Sequence, residues 1–130
     1  LAPLLAPHLA VTHLSAAWVW GGLPEPPVRH TLQRAVPRRI NFLIDRRVHY
    51  RDTTIVERDL VLLSGCRVAT PGRTLADLAR SKDPTYQAAA ASLAAALPTA
   101  IELALAWFET AGTVPNSRTA RAYLTQLKNL

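Results

Sequence analysis

Residues 70–80 read TPGRTLADLAR and place Arg73 and Asp77 four positions apart. Opposite charges at that spacing meet on one helix face. They form either a positioned acid–base couple or an ion pair on the outside of a helix, worth about 0.3–0.5 kcal/mol. Nothing nearby offers a third catalytic group, so the pair reads as structural, fixing the start of its helix.

The other groups able to do chemistry are scattered. His8, His13, His30 and His49 lack the spacing of metal ligands and read as surface or capping side chains. Cys66 would be a nucleophile only with a lowered pKa. Within a strand-like run it reads instead as a small buried hydrophobe. The cluster Glu57, Arg58, Asp59 lacks the nearby lysine of a metal-dependent nuclease, since the only lysines are Lys82 and Lys128. No G-x-S-x-G elbow, phosphate loop or H-E-x-x-H is present. The expectation is a non-enzymatic chain without metal or cofactor.

Charge points to binding instead. The formal net charge is +6. Arg29, Arg34, Arg38, Arg39, Arg46, Arg47 and Arg51 fall in one segment, where the only acid is Asp45. Such a field favours polyanions or an acidic protein face, and guanidinium groups make paired bonds that ammonium groups cannot. Arg29, Arg34, Arg38, Arg39, Arg47 and Arg51 are therefore the candidate binding residues, for a protein partner or for DNA or tRNA.

With 130 residues and 49% apolar content, one globular domain is expected, its first 80 residues mixed and the rest helical. A single cysteine forms no internal disulfide and suits a reduced, cytoplasmic location. The sequence contains no methionine, which suggests that the native beginning lies elsewhere. Residues 86–108 carry one charge, Glu102, but are alanine-rich and interrupted by Pro98, so two packed helices are expected rather than a membrane span. The opening LAPLLAPHLAV lacks the basic region of a secretion signal.

Local patterns supply the frame. A short strand at 9–11 is followed by a helix capped by Thr12 or Ser15, running to about Trp20 and stopped by Gly21-Gly22, with Leu14, Ala17 and Trp18 on its apolar face. From Val28 to Ala69 the period approaches two. Val28, Leu32 and Val36 share one face, as do Ile40, Phe42, Ile44, Val48 and Tyr50, and the arginine-bearing face is left wet. Pro37-Arg38-Arg39 should turn or loop.

LVLLSGCRVAT predicts a hairpin around Ser64-Gly65, with Asp59 before its first strand and Thr70 after its second. Thr70 then caps a helix opened by Pro71, with Leu75, Leu78 and Ala79 as its stripe and Arg73 and Asp77 on the other side. Helices over 84–97, 98–111 and 118–129 complete the chain. The last is capped by Ser117 and buries Ala122, Leu124, Leu127 and Leu130. The fold class expected is α+β: a small, mostly antiparallel sheet, an N-terminal helix and about four C-terminal helices.

The succession THLSAAWVWGGLPEPP, VHYRD and SGCRVATPGRTLADLAR resembles the AbiEi family of antitoxins from toxin–antitoxin and abortive-infection operons. The resemblance lies in Ser15, Ala16, Ala17, Gly22, Leu23 and Pro24, in Val48, His49, Tyr50 and Arg51, and in Thr70, Pro71, Arg73, Thr74, Leu75, Asp77, Leu78 and Ala79. It covers most of residues 9–80, and the last motif is its most specific part. It implies a bacterial antitoxin that counteracts a nucleotidyltransferase-like toxin. It also implies a winged-helix DNA-binding domain ahead of this region, outside these 130 residues, through which the complete protein regulates transcription of its own operon.

Overall fold

A computed structural model describes residues 9–28, 30–36 and 48–130. In chain order the elements are β1 (Leu9–Val11), α1 (His13–Val19), β2 (His30–Arg34), β3 (Val48–Thr54), a 3-10 turn (Glu57–Asp59), β4 (Leu60–Leu63), β5 (Cys66–Ala69), α2 (Pro71–Ala79), α3 (Pro84–Ala96), α4 (Thr99–Thr110) and α5 (Ser117–Lys128). The architecture is α+β, with four helices following the sheet as expected. Among the described residues no helix is long and apolar enough to cross a membrane.

The sheet order is β3-β2-β1-β5-β4. β1–β2 and β4–β5 are antiparallel, while β1–β5 and β2–β3 are parallel. The expectation of a mostly antiparallel sheet is thus corrected to a mixed one. Turn chemistry reveals hairpins between neighbours in sequence, whereas parallel pairs need longer crossovers that leave no local mark.

The β4–β5 hairpin forms where the sequence places it. Ser64 and Gly65 have φ of 48° and 81°, so both central residues of the turn are left-handed, a conformation glycine adopts without strain. Leu60 pairs with Ala69 and Leu63 with Cys66. Cys66 is half-buried rather than buried.

At the far end of the hairpin the chain turns into α2. The Arg73 backbone N–H donates to Thr70 Oγ1 at 3.2 Å, and Pro71 opens the first turn. Every residue of α2 from Gly72 to Ala79 is buried. Its expected one-sided stripe is corrected to an all-round interface, because α1, α3, α4 and α5 all pack against it. A Cβ at Gly72 would lie 2.7 Å from Leu103 Cβ and 3.0 Å from the Leu103 carbonyl carbon, so the α2–α4 approach depends on a missing side chain.

Two apolar clusters hold the layers. Leu75, Leu78, Leu93, Ile101, Phe108 and Leu124 fill the helical side. Leu9, Val11, Leu32, Ile55 and Val68 fill the sheet side. Full burial of such a side chain contributes about 1.5–3 kcal/mol. The Trp20 indole N–H donates to the Ala69 carbonyl at 2.8 Å and pins the end of α1 to β5.

β2 departs from its sequence reading. Thr31, Gln33 and Arg34, 2%, 2% and 8% exposed, are buried along with Leu32, while Val28 lies outside the strand and is 96% exposed. β2 is an interior strand between β3 and β1, and α1 packs against it. α5 differs too. Ser117 is its first helical residue, and left-handed Asn116 (φ 61°) precedes it without a side-chain cap. The helix buries Ala120 and Leu124 with Tyr123 and Leu127 half-buried, whereas Ala122 is exposed and Leu130 is 97% exposed.

Candidate functional site

The register that pairs Leu60 with Ala69 brings Asp59 level with Thr70, whose N–H donates to the Asp59 carbonyl at 2.8 Å. Asp59 therefore sits beside the first turn of α2. Arg73 reaches both ways from there. Its Nη1 donates to Asp59 Oδ2 and its Nε to Asp77 Oδ2, each at 2.9 Å. Asp77 Oδ1 accepts from Arg80 through Nη2 at 2.9 Å and Nε at 3.2 Å. The Trp107 indole N–H donates to Asp59 Oδ2 at 3.0 Å, and the Arg73 guanidinium lies 4.8 Å from the Trp107 ring centre.

Thr70, Pro71, Arg73 and Asp77 thus form the expected junction, but the placement of the ion pair is corrected. It lies inside the protein, with the Asp77 side chain fully buried. The physical reason is that α4 and α1 cover the polar side of α2, and Asp59, Trp107 and Arg80 supply the bonds that burial requires. Burial alone would raise the Asp77 pKa. The charges of Arg73, then His13 and Arg80, with the Arg80 hydrogen bond, outweigh it and hold the carboxyl below the usual range. Both carboxylate oxygens are engaged, so Asp77 anchors arginines rather than offering an acid–base group.

A polar cavity of about 200 Å³ opens on the Asp77 side of α2, lined by His13, Arg51, Asp77, Arg80, Ser81, Tyr86 and Pro115. His13 begins α1 directly after β1 with φ 52°, a left-handed conformation uncommon outside glycine. Its Nδ1 is 2.9 Å from Thr12 Oγ1, and its ring lies 5.8 Å from that of Tyr86. Burial, only partly opposed by Asp77 and reinforced by Arg51, Arg73 and Arg80, lowers the His13 pKa to about 4. His13 is therefore neutral at pH 7, not the surface or capping side chain expected.

Arg51 enters from β3. Gln33 pairs with Arg51 but Arg34 with Thr54, and this irregularity follows Arg51 directly in the ladder. Bulges of this kind re-aim side chains beside functional sites. The Arg51 guanidinium carbon lies 5.8 Å from the Tyr86 ring centre, and its Nε is buried without a hydrogen-bond partner.

Of the two candidate arginines among the described residues, Arg51 lines this cavity and Arg34 does not. Arg34 is buried in β2, which corrects its expected place on a wet face. Arg29, Arg38, Arg39 and Arg47 lie outside the described residues, as does the expected turn at Pro37-Arg38-Arg39. Sequence reasoning missed His13, Asp59, Arg80, Tyr86 and Trp107. Asp59 was accessible to it, because a hairpin closing at Ser64-Gly65 puts Asp59 opposite Thr70. No group of three or more His, Cys, Asp or Glu side chains that could hold a metal occurs among the described residues.

Compared with known proteins, the chain matches no family model, no curated protein and no solved structure.

Proposed function

We propose that this chain is the non-enzymatic effector region of an AbiEi-like antitoxin, counteracting a nucleotidyltransferase-like toxin through a basic surface. What supports the reading is the role of the motif that carries the resemblance. Thr70 caps, Pro71 opens, Arg73 and Asp77 lock, and Leu75 and Leu78 anchor one buried helix. Residue types at those positions are tied to specific structural tasks, as a family signature requires. The same bonds turn the most suggestive charged pair inward and leave recognition to the arginine-rich segment before it.

On this reading Arg38, Arg39, Arg47 and Arg51 contribute the charge that an acidic toxin surface meets, with nucleic acid as the other polyanion such charge would suit. The complete protein would also regulate its operon through a DNA-binding domain. The test is co-expression with the product of the neighbouring open reading frame, which on this reading is a nucleotidyltransferase-like toxin. Wild-type chain should restore growth, and the quadruple Arg→Glu variant at 38, 39, 47 and 51 should not, while retaining its circular dichroism spectrum. Full neutralisation by that variant overturns the surface assignment.

A further inference from the structure

We propose that the cavity between α1, β3 and the end of α2 is a binding site for a phosphate monoester or free phosphate, held by Arg51, Arg80, Ser81 and His13. This site is independent of the antitoxin reading. It is built from described side chains, and Arg51 is the only residue it shares with the basic surface.

The charge balance favours an anion. Arg51 and Arg80 face a single carboxylate in the lining, Asp77, and both Asp77 oxygens already accept from Arg73 and Arg80. Arg51 Nε is shielded from water with its hydrogen bond unmade. A buried donor on a charged group costs more left unsatisfied than the average bond contributes, so such groups ordinarily have a partner. The Tyr86 ring is the contact the Arg51 guanidinium makes in the cavity wall, so its charge is left for an anion there to balance.

The remaining donors converge on the same space. Arg80 spends Nε and Nη2 on Asp77, which leaves Nη1 to donate. Ser81 Oγ accepts from the Asp83 N–H at 3.1 Å, leaving its own proton to give. His13 Nδ1 meets the Thr12 hydroxyl. When that hydroxyl donates to Nδ1, the neutral imidazole carries its proton on Nε2 and becomes a donor without being charged. Two guanidinium groups with a hydroxyl and an imidazole N–H would fill the roughly four acceptor sites of a carboxylate, while their two positive charges exceed its single negative one. They match the oxygens of a phosphate, for which arginine is the preferred partner.

Size agrees. The cavity of about 200 Å³ holds several times the roughly 30 Å³ share of one water. It falls below the roughly 300–1,000 Å³ of pockets for drug-sized ligands. The left-handed backbone at His13 is the kind of local strain that collects at ligand clamps, and here it sets the imidazole in the cavity wall.

The experiment titrates the full chain with inorganic phosphate, followed by NMR of the His13 imidazole and the Arg51 Nε–H. Saturable shifts at both, with slowed exchange of the Arg51 proton, are expected. Arg51→Gln and Ser81→Ala should each weaken binding, Arg51→Gln by about tenfold or more. Arg121→Gln, an exposed arginine on α5, should leave it unchanged. Two variants at separate positions guard against one that fails to fold.

A second arm compares a 5′-phosphorylated trinucleotide with its unphosphorylated form. Tighter binding of the phosphorylated form, competed by inorganic phosphate, assigns a nucleic-acid end as the source. Response to inorganic phosphate alone assigns a free anion. The site is overturned if His13 and Arg51 do not respond at millimolar phosphate, if both cavity variants bind like wild type, or if Arg121→Gln weakens binding as much as they do. Failure here leaves toxin neutralisation by the basic surface standing, and loss of neutralisation leaves phosphate binding standing.

Discussion

The two ends of the Arg73 network differ sharply although one arginine joins them. At the Asp59 end, the carboxylate accepts from Arg73 and Trp107, and the adjoining hollow is walled by Leu103, Ala106 and Trp107 beside Pro71 and Gly72. At the Asp77 end, Arg51 and Arg80 outnumber the one carboxylate, His13 is buried without charge, and a guanidinium N–H lacks its bond. The first is a closed circuit inside a joint between helices. The second is an open one, with a donor still unpaired. A buried polar network is stable when every member is satisfied, so an added acceptor would stabilise the open circuit more than the closed one.

Removing the carboxylates tests that contrast most severely. Asp77→Ala should cost about 3–5 kcal/mol in urea unfolding, because it removes three charge-assisted bonds at once, both of those from Arg80 and one of the two from Arg73. Asp59→Ala should cost less, about 1–3 kcal/mol, since Arg73 keeps its bond to Asp77. Equal or reversed losses would break the distinction between the two ends.

Acid should strike the Asp77 end first. In the unfolded chain the His13 imidazole takes up its proton near pH 6.5, but in the folded protein only near pH 4. Between those values the unfolded state binds the extra proton, so stability falls as pH drops, by about 3 kcal/mol over the window. Asp77, Arg51, Arg73, Arg80 and Tyr86 are the charged or titratable groups around it. The depressed Asp77 carboxyl adds its own loss only at lower pH, as it protonates. His13→Asn, which tolerates the left-handed backbone, should remove the loss between pH 6.5 and 4 in pH-dependent unfolding curves. A wild-type curve flat through that window would show that His13 is not held neutral.

The Asp59 end responds to shape rather than charge. Gly72→Ala should destabilise by about 1–3 kcal/mol, because its Cβ meets the Leu103 backbone, and the loss should not depend on pH. Thermal unfolding at pH 5 and 7 measures both points, and a neutral result would mean that α4 can move away.

These contrasts also show what a sequence carries. The hairpin and the start of α2 were legible because Ser64-Gly65, Thr70 and Pro71 act on their immediate neighbours. The covering of α2 was not, since an Arg–Asp pair at helical spacing looks the same under water or under α4. Only Trp107, Asp59 and His13, distant in sequence, tell the two apart. Alternation in β2 misled for a related reason. Period two reports which residues share a side, but whether a side is wet depends on what covers the strand, and Thr31 and Gln33, opposite Leu32, are covered. The cavity was legible only in part: Arg51 stood among the candidate arginines, but His13, Arg80 and Tyr86 reach it through tertiary packing.

The three residues of β1 deserve a different measure from their length. β3-β2 lies on one side of them and β5-β4 on the other, so Leu9–Val11 is the seam along which two ribbons become one sheet. Its pairing with residues 67 and 68 spans about half of the chain, and such distant contacts must meet the entropy of loop closure before they stabilise anything. The hairpin and its helix can form early from local instructions, whereas the sheet becomes continuous only when this seam closes. Two residues beyond the end of the seam stands His13, so the wall of the cavity is set by an event that gathers both halves of the sheet.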